Sequence, residues 1–181
     1  MKTREITLTA LMIAVLAICA QLSIPFGAVP LTFQTLGVLL IGYLLPAKLA
    51  AFATIGYTVL GLIGLPVFAG GAGGLGSISS PSFGYVLSYI IATVVMALYL
   101  QKTSRSLANL VIAAIIATAI IYFIGVSYLA YILIGVKGKA LGFMAILNIG
   151  MLPFLVGDAI KAVLAIIIAK RVQPMLHKFA N

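Results

Sequence analysis

The sequence predicts an all-α integral membrane protein: a bundle of six transmembrane helices with both termini cytoplasmic. Three observations carry that expectation. Of 181 residues, 64% are hydrophobic and 7% charged, whereas a soluble domain carries about a quarter charged residues. No Asp, Glu, Lys or Arg occurs in residues 6–47, 49–101 or 107–136. A spanning helix needs about 20 apolar residues, so the first two runs hold more than one helix each. The third observation is an imbalance of 11 basic to 2 acidic residues, whose positions are decisive below. The apolar runs lack the alternation of a membrane barrel, and lipid accepts only helices or closed barrels.

The elements follow in chain order. Helix 6–24 comes after Lys2 and Arg4. It imitates a signal peptide, but no small-x-small cleavage site follows it. Leu16-Ala17-Ile18-Cys19 approaches a lipoprotein box, with Ile18 where a small residue belongs. The segment therefore reads as a retained first span. Pro25, Gly27 and Pro30 end it. Helix 32–46 is short, and Gln34 makes its start irregular. Helix 48–65 stops at Pro66 and the glycine-rich run from Gly70 to Gly76. Helices 83–101 and 107–134 are long and apolar. The stretch 143–156 is apolar but interrupted by Gly150 and Pro153, and reads as a loop or broken helix leading into 154–172. A seventh span there would move the C-terminus across the membrane. Residues 1–181 read as one membrane domain.

Six alternating spans set the orientation. With the N-terminus inside, Lys2, Arg4, Lys48, Lys102, Arg105, Lys170, Arg171 and Lys178 are cytoplasmic. Lys137 and Lys139 fall outside, and Lys161 lies within the last span. Positive residues favour the cytoplasmic side. The net charge of +9 thus reads as a topology signal and not as a footprint for nucleic acid.

Three unusual segments then meet on the outer side: Pro30–Gln34, the glycine-rich loop from Gly64 onward to Gly84-Tyr85, and Gly157-Asp158 with Lys161. Asp158 and Lys161 carry the most information. Positions i and i+3 share a helix face. An ionisable residue inside a span costs roughly 2.5–3.5 kcal/mol on insertion scales and marks a functional site by default. The competing role is a structural ion pair. A carboxylate that accepts N–H bonds beside an ammonium that donates suits a small solute carrying both groups.

The glycine-rich loop has two readings, a backbone lid that closely approaches a ligand or a flexible connection. Gly71, Gly73 and Gly74 are its candidate contacts. No Lys lies between Lys48 and Lys102, so a phosphate cradle is not expected. Gln34 is a ligand candidate whose alternative is a bond to a neighbouring helix. Tyr85 either stacks on a ligand or joins the interfacial aromatic belt. On the first helix, Ala10 and Ala14 are small residues four apart, suited to packing or to docking another membrane subunit.

The remaining chemistry is sparse. The lone His177 leaves no zinc site or in-membrane acid–base pair, and no ATPase motif occurs. One cysteine excludes an intrachain disulfide. No cofactor, metal or catalytic role is expected. Binding fits the inventory better than catalysis, and active uptake requires a partner.

In three segments the chain resembles the BioY family, the biotin-specific substrate-binding subunits of energy-coupling factor (ECF) vitamin transporters. The first is Val29–Thr35 with its Pro-Leu-Thr-Phe-Gln core, the second Gly61–Gly74, and the third Gly157-Asp158-Ala159-Ile160-Lys161. Ser80-Pro81-Ser82-Phe83-Gly84-Tyr85 departs from the family's Gly-Pro-Thr-Gly-Gly-Tyr but keeps Pro81 and Gly84. The resemblance implies six helices, biotin capture from outside, residence in a prokaryotic plasma membrane and an energising module of one membrane coupling protein and two ATPases. Ala10 and Ala14 are similar to the family's docking motif. Asp158 would meet the ureido nitrogens of biotin and Lys161 the ureido oxygen. The opposite pose pairs Lys161 with the tail carboxylate. The alternatives are another vitamin as ligand, or an autonomous proton-coupled carrier using Asp158.

Overall fold

A computed structural model describes residues 2–178, with side chains described to residue 174. Expectations on the His177 and Lys178 side chains lie outside the described residues. Six long helices and one short one account for most of the chain. They are α1 (Thr3–Gln21), α2 (Gln34–Leu44), α3 (Ala47–Leu62), α4 (Phe83–Lys102), α5 (Leu107–Ala130), α6 (Phe143–Gly150) and α7 (Leu155–Lys178). Four helical segments, 3–21, 83–102, 107–136 and 143–174, are long and apolar enough to cross a membrane. Helices α2 and α3 are shorter apolar helices. The protein is an all-α membrane protein.

Local chemistry explains the boundaries. Glu5 accepts the backbone N–H of Lys2 at 2.9 Å and so closes the start of α1. Pro25 and Gly27 form the turn of a small hairpin, β1 (Ser23–Ile24) paired antiparallel with β2 (Leu31–Thr32). Gln34 begins α2 directly after that hairpin, so the expected irregular start is a strand. Ser106 accepts the Asn109 N–H at the start of α5. Helix α5 runs on through a wider π turn, Tyr131–Val136. The doubtful stretch 143–156 is a broken helix: α6 stops at Gly150, a tight turn follows over Leu152–Phe154, and α7 begins.

Small residues set the packing. Helix α4 lies along α5, α3 along α4, and α2 against α7. The α4–α5 seam is reciprocal. A Cβ on Gly84 would stand 2.2 Å from Tyr128, and one on Gly125 would stand 2.4 Å from Tyr85. Each glycine therefore receives the other helix's tyrosine, a close approach that membrane helices favour. Thr54 on α3 and Thr93 on α4 face each other at 3.5 Å while each also bonds its own helix four residues back.

The two ends of the bundle differ. At one end the chain turns from α2 to α3 and from α4 to α5. There Arg105 donates to the Tyr43 carbonyl at 2.7 Å, and the Tyr43 hydroxyl donates to the Leu110 carbonyl at 2.7 Å. Burial lowers the Arg105 guanidinium from its ordinary value, and it stays a donor to that carbonyl. At the other end sit the hairpin, the glycine-rich loop and the α6–α7 break. The cavity opens there.

Candidate functional site

A cavity of about 500 Å³ lies between α2, α4, α5, α7 and the glycine-rich loop. Its inner end is charged. Asp158 and Lys161, on the first turns of α7, are 7% and 9% exposed. They meet at 2.9 Å, as i and i+3 on one face dictate. The Tyr122 hydroxyl of α5 donates to the second Asp158 oxygen at 2.5 Å. Lys161 also donates to the Thr32 carbonyl of β2 at 2.5 Å. Its ammonium lies 5.8 Å from the centre of the Phe33 ring, within cation–π range.

Hydrogen bonds continue from this pair to the loop. Thr32 donates its hydroxyl to Gln34 Oε1 at 3.1 Å, and Gln34 donates Nε2 to the Tyr57 hydroxyl of α3 at 2.8 Å. Tyr57 in turn donates to the Val67 carbonyl in the loop at 2.9 Å. The chain Tyr122, Asp158, Lys161, Thr32, Gln34, Tyr57, Val67 thus crosses α5, α7, β2, α2 and α3. Among the described residues, no buried side-chain nitrogen or oxygen lacks a partner. Such a fully satisfied network rigidifies its surroundings.

The loop is held from two further helices. Gln21 at the end of α1 donates to the Pro66 and Phe68 carbonyls at 3.0 and 3.1 Å. Tyr128 of α5 donates to the Ile78 carbonyl at 2.6 Å. Phe68 is buried between Tyr57 and Phe83, edge to face with both. Gly74 adopts a left-handed φ of +85° and donates to the Gly61 carbonyl at 2.7 Å. A Cβ on Gly73 would lie 2.4 Å from the Leu65 carbonyl oxygen, so only glycine permits that fold-back.

The hydrogen-bonding capacity left at the inner end is specific. Lys161 has three N–H donors and commits two, to Asp158 and Thr32. Each Asp158 oxygen offers about two acceptor sites and accepts one bond, from Lys161 or Tyr122. One cationic donor and two anionic acceptor positions remain side by side. The rest of the inner wall is aromatic and apolar, with Phe83, Tyr85, Val86, Tyr89 and Phe154. A flat polar group carrying one acceptor and two donors, attached to an apolar body, complements that surface.

A family model described as the BioY family matches residues 1–178. The chain belongs to the BioY family. A probable biotin transporter BioY of Pyrococcus horikoshii is 37% identical over 173 residues, covering 96% of this chain and 98% of that protein. The biotin transporter BioY of Thermotoga maritima is 33% identical, over 95% and 97% of the two chains. The solved crystal structure of the S-component for biotin from an ECF-type ABC transporter matches this fold with a TM-score of 0.83. It is 28% identical, over 96% of this chain and 92% of that one.

In this BioY-family chain the three segments singled out from sequence converge on one cavity. Asp158, Lys161, Gln34, Gly73 and Tyr85 all line it. Gly71 and Gly74 lie in the same loop outside the cavity lining, and both take positive φ values that shape it. Tyr85 presents its ring, because its hydroxyl donates to the Gly150 carbonyl at 2.6 Å. Gln34 lines the cavity, and its side chain bonds the neighbouring helix through Tyr57. Ala10 and Ala14 are exposed on α1. Sequence reading missed Tyr122, Tyr57 and Gln21. A signal existed for the two tyrosines. Both sit in mid-helix, away from the interfacial belt, where a hydroxyl requires a buried partner.

Proposed function

We propose that this chain captures biotin at the outer face of a prokaryotic plasma membrane. It does so as the substrate-specific subunit of an ECF-type transporter. The observation that carries the reading is the remaining capacity of the Asp158–Lys161–Tyr122 cluster. Biotin's ureido ring has one carbonyl acceptor and two N–H donors. On this reading Lys161 donates to the ureido oxygen and the two Asp158 oxygens accept from its nitrogens. The fused thioether ring packs on Phe83, Tyr85 and Tyr89. The glycine-rich loop covers the ligand. Biotin transporters among the relatives, matched over nearly their whole length, support the same substrate.

The charge pattern supports cytoplasmic termini, with the cavity facing outward. Lys2, Arg4, Lys48, Lys102 and Arg105 occupy the end opposite the cavity, as the positive-inside rule requires. The exposed Ala10–Ala14 stripe on α1 is assigned to docking the membrane coupling protein, with two ATPases supplying energy this chain has no motif to provide. The donor set favours binding and transport over catalysis. Isothermal titration of biotin into the detergent-purified protein tests the proposal. Saturable binding at micromolar ligand or tighter is expected, with other water-soluble vitamins failing to compete. Absence of saturable biotin binding refutes it.

A further inference from the structure

The cavity is graded from a charged, buried inner end to a neutral outer end. Inside are Asp158, Lys161, Tyr122, Gln34 and Tyr89, all buried. Outside, the wall is the glycine-rich loop, with Gly73 and Gly76 exposed and Ser77, Ser80 and Ser82 half-buried. Among the described residues lining the cavity, Lys161 is the one cation and Asp158 the one anion. They neutralise each other at 2.9 Å.

That inventory bears on an acidic ligand. A carboxylate placed at the inner end competes with Asp158 for the same ammonium and brings a second negative charge beside the first. A carboxylate placed at the outer end meets only hydroxyls, backbone and water. A hydroxyl donates to an amide carbonyl as it does to a carboxylate; an ionised acceptor roughly doubles the bond energy, but Ser80 and Ser82 bond each other at 2.9 Å and are half-exposed to water, which dilutes that gain. The outer end therefore has no device that selects for a charged tail.

We propose that the site also takes biotin derivatives whose tail carboxylate has become a neutral amide. This chemical class includes biotinyl-lysine, the fragment left when a biotinylated protein is digested. The inference rests on the ring-inward pose stated above. With the ring at Asp158 and Lys161, the tail runs past Ser77, Ser80 and Ser82 toward solvent. Gly76 is exposed and the three serines half-buried, so on this pose a substituent beyond the amide nitrogen leaves the cavity at the solvent-facing edge of the loop that covers the ring.

Equilibrium competition against radiolabelled biotin on the intact purified chain tests this, using biotinamide, Nε-biotinyl-lysine and a biotin blocked by methylation at a ureido nitrogen. The two amides are expected to bind within tenfold of biotin, and the ring-blocked compound to lose more than a hundredfold. A loss greater than tenfold for either amide overturns the inference. So does retention of the ring-blocked compound, which places the tail and not the ring at the ion pair. Failure of biotin itself to bind is a separate result and refutes the proposed function instead.

Discussion

Neutralising the ion pair in two steps separates a ligand-binding role from a structural one. Lys161→Met removes the bonds to Asp158 and Thr32 at 2.9 and 2.5 Å. It leaves a carboxylate that is 7% exposed with the Tyr122 hydroxyl as its remaining side-chain donor. Breaking a buried pair on one side costs about 3–5 kcal/mol, because the surviving charge is uncompensated. Asp158→Asn alone does the same to the ammonium. The double variant Asp158→Asn, Lys161→Met carries no buried charge, so most of that penalty disappears and thermal stability returns toward the parent. Binding behaves differently if the pair holds the ureido group. A hydrogen bond to a charged group contributes about 1.5–3 kcal/mol, roughly 10- to 150-fold in affinity for each lost partner. The double variant then regains stability and still binds biotin more than a hundredfold more weakly. The assay pairs thermal unfolding with calorimetric titration on all four proteins, read as a double-mutant cycle. A double variant that binds within tenfold of the parent refutes the reasoning and leaves the pair a clamp between α7 and β2.

Three further outcomes are expected. Gly73→Ala forces a Cβ to within 2.4 Å of a backbone oxygen, so the loop opens and biotin dissociates at least tenfold faster in a chase experiment. Gly142→Ala, which meets nothing within 4 Å and lies outside the cavity lining, leaves the rate unchanged. Tyr122→Phe removes the 2.5 Å bond to Asp158 and weakens biotin binding about tenfold or more, while circular dichroism shows the helical content intact. Ala10→Trp with Ala14→Trp, on the exposed face of α1, preserves biotin binding but abolishes co-purification with the energising module and uptake by cells.

The helices were legible because apolar runs bounded by charge, proline and glycine admit little else in lipid. The Asp158–Lys161 pair was legible for a related reason: two in-span charges three residues apart share a face whatever surrounds them. Their third partner was not. Tyr122 lies 36 positions from Asp158, and its approach depends on how α5 settles against α7. The loop was legible only in outline. Its glycine content announces a fold-back, but which glycines line the cavity depends on successive left-handed turns at Gly70, Gly71 and Gly74. Composition does not order those turns. Gly73 lines the cavity because its neighbours rotate the chain around it. The α6–α7 break was half legible, since Gly150 and Pro153 interrupt the apolar run without saying how much helix forms before them.

The network also bears on why a binding subunit of this kind needs an energy source elsewhere. Its buried polar groups are already partnered, and the inner cluster keeps one donor and two acceptor positions in hand. A ligand that uses them adds bonds without displacing existing ones, so little ordering free energy is lost on capture. Tight capture of that kind makes release the difficult step. On the proposed reading, release requires breaking the links that hold the loop, and two of those links leave from Gln21. Gln21 ends the helix whose exposed face carries Ala14, two turns away at about 5.4 Å per turn. A partner bound to that face and tilting α1 would pull on the Pro66 and Phe68 carbonyls through Gln21, and on Phe33, whose N–H donates to the Cys19 and Leu22 carbonyls next to the Thr32 carbonyl that Lys161 holds. On the proposed reading the docking face and the loop are thus linked through the end of α1, which would give a coupling protein a mechanical route to the ligand.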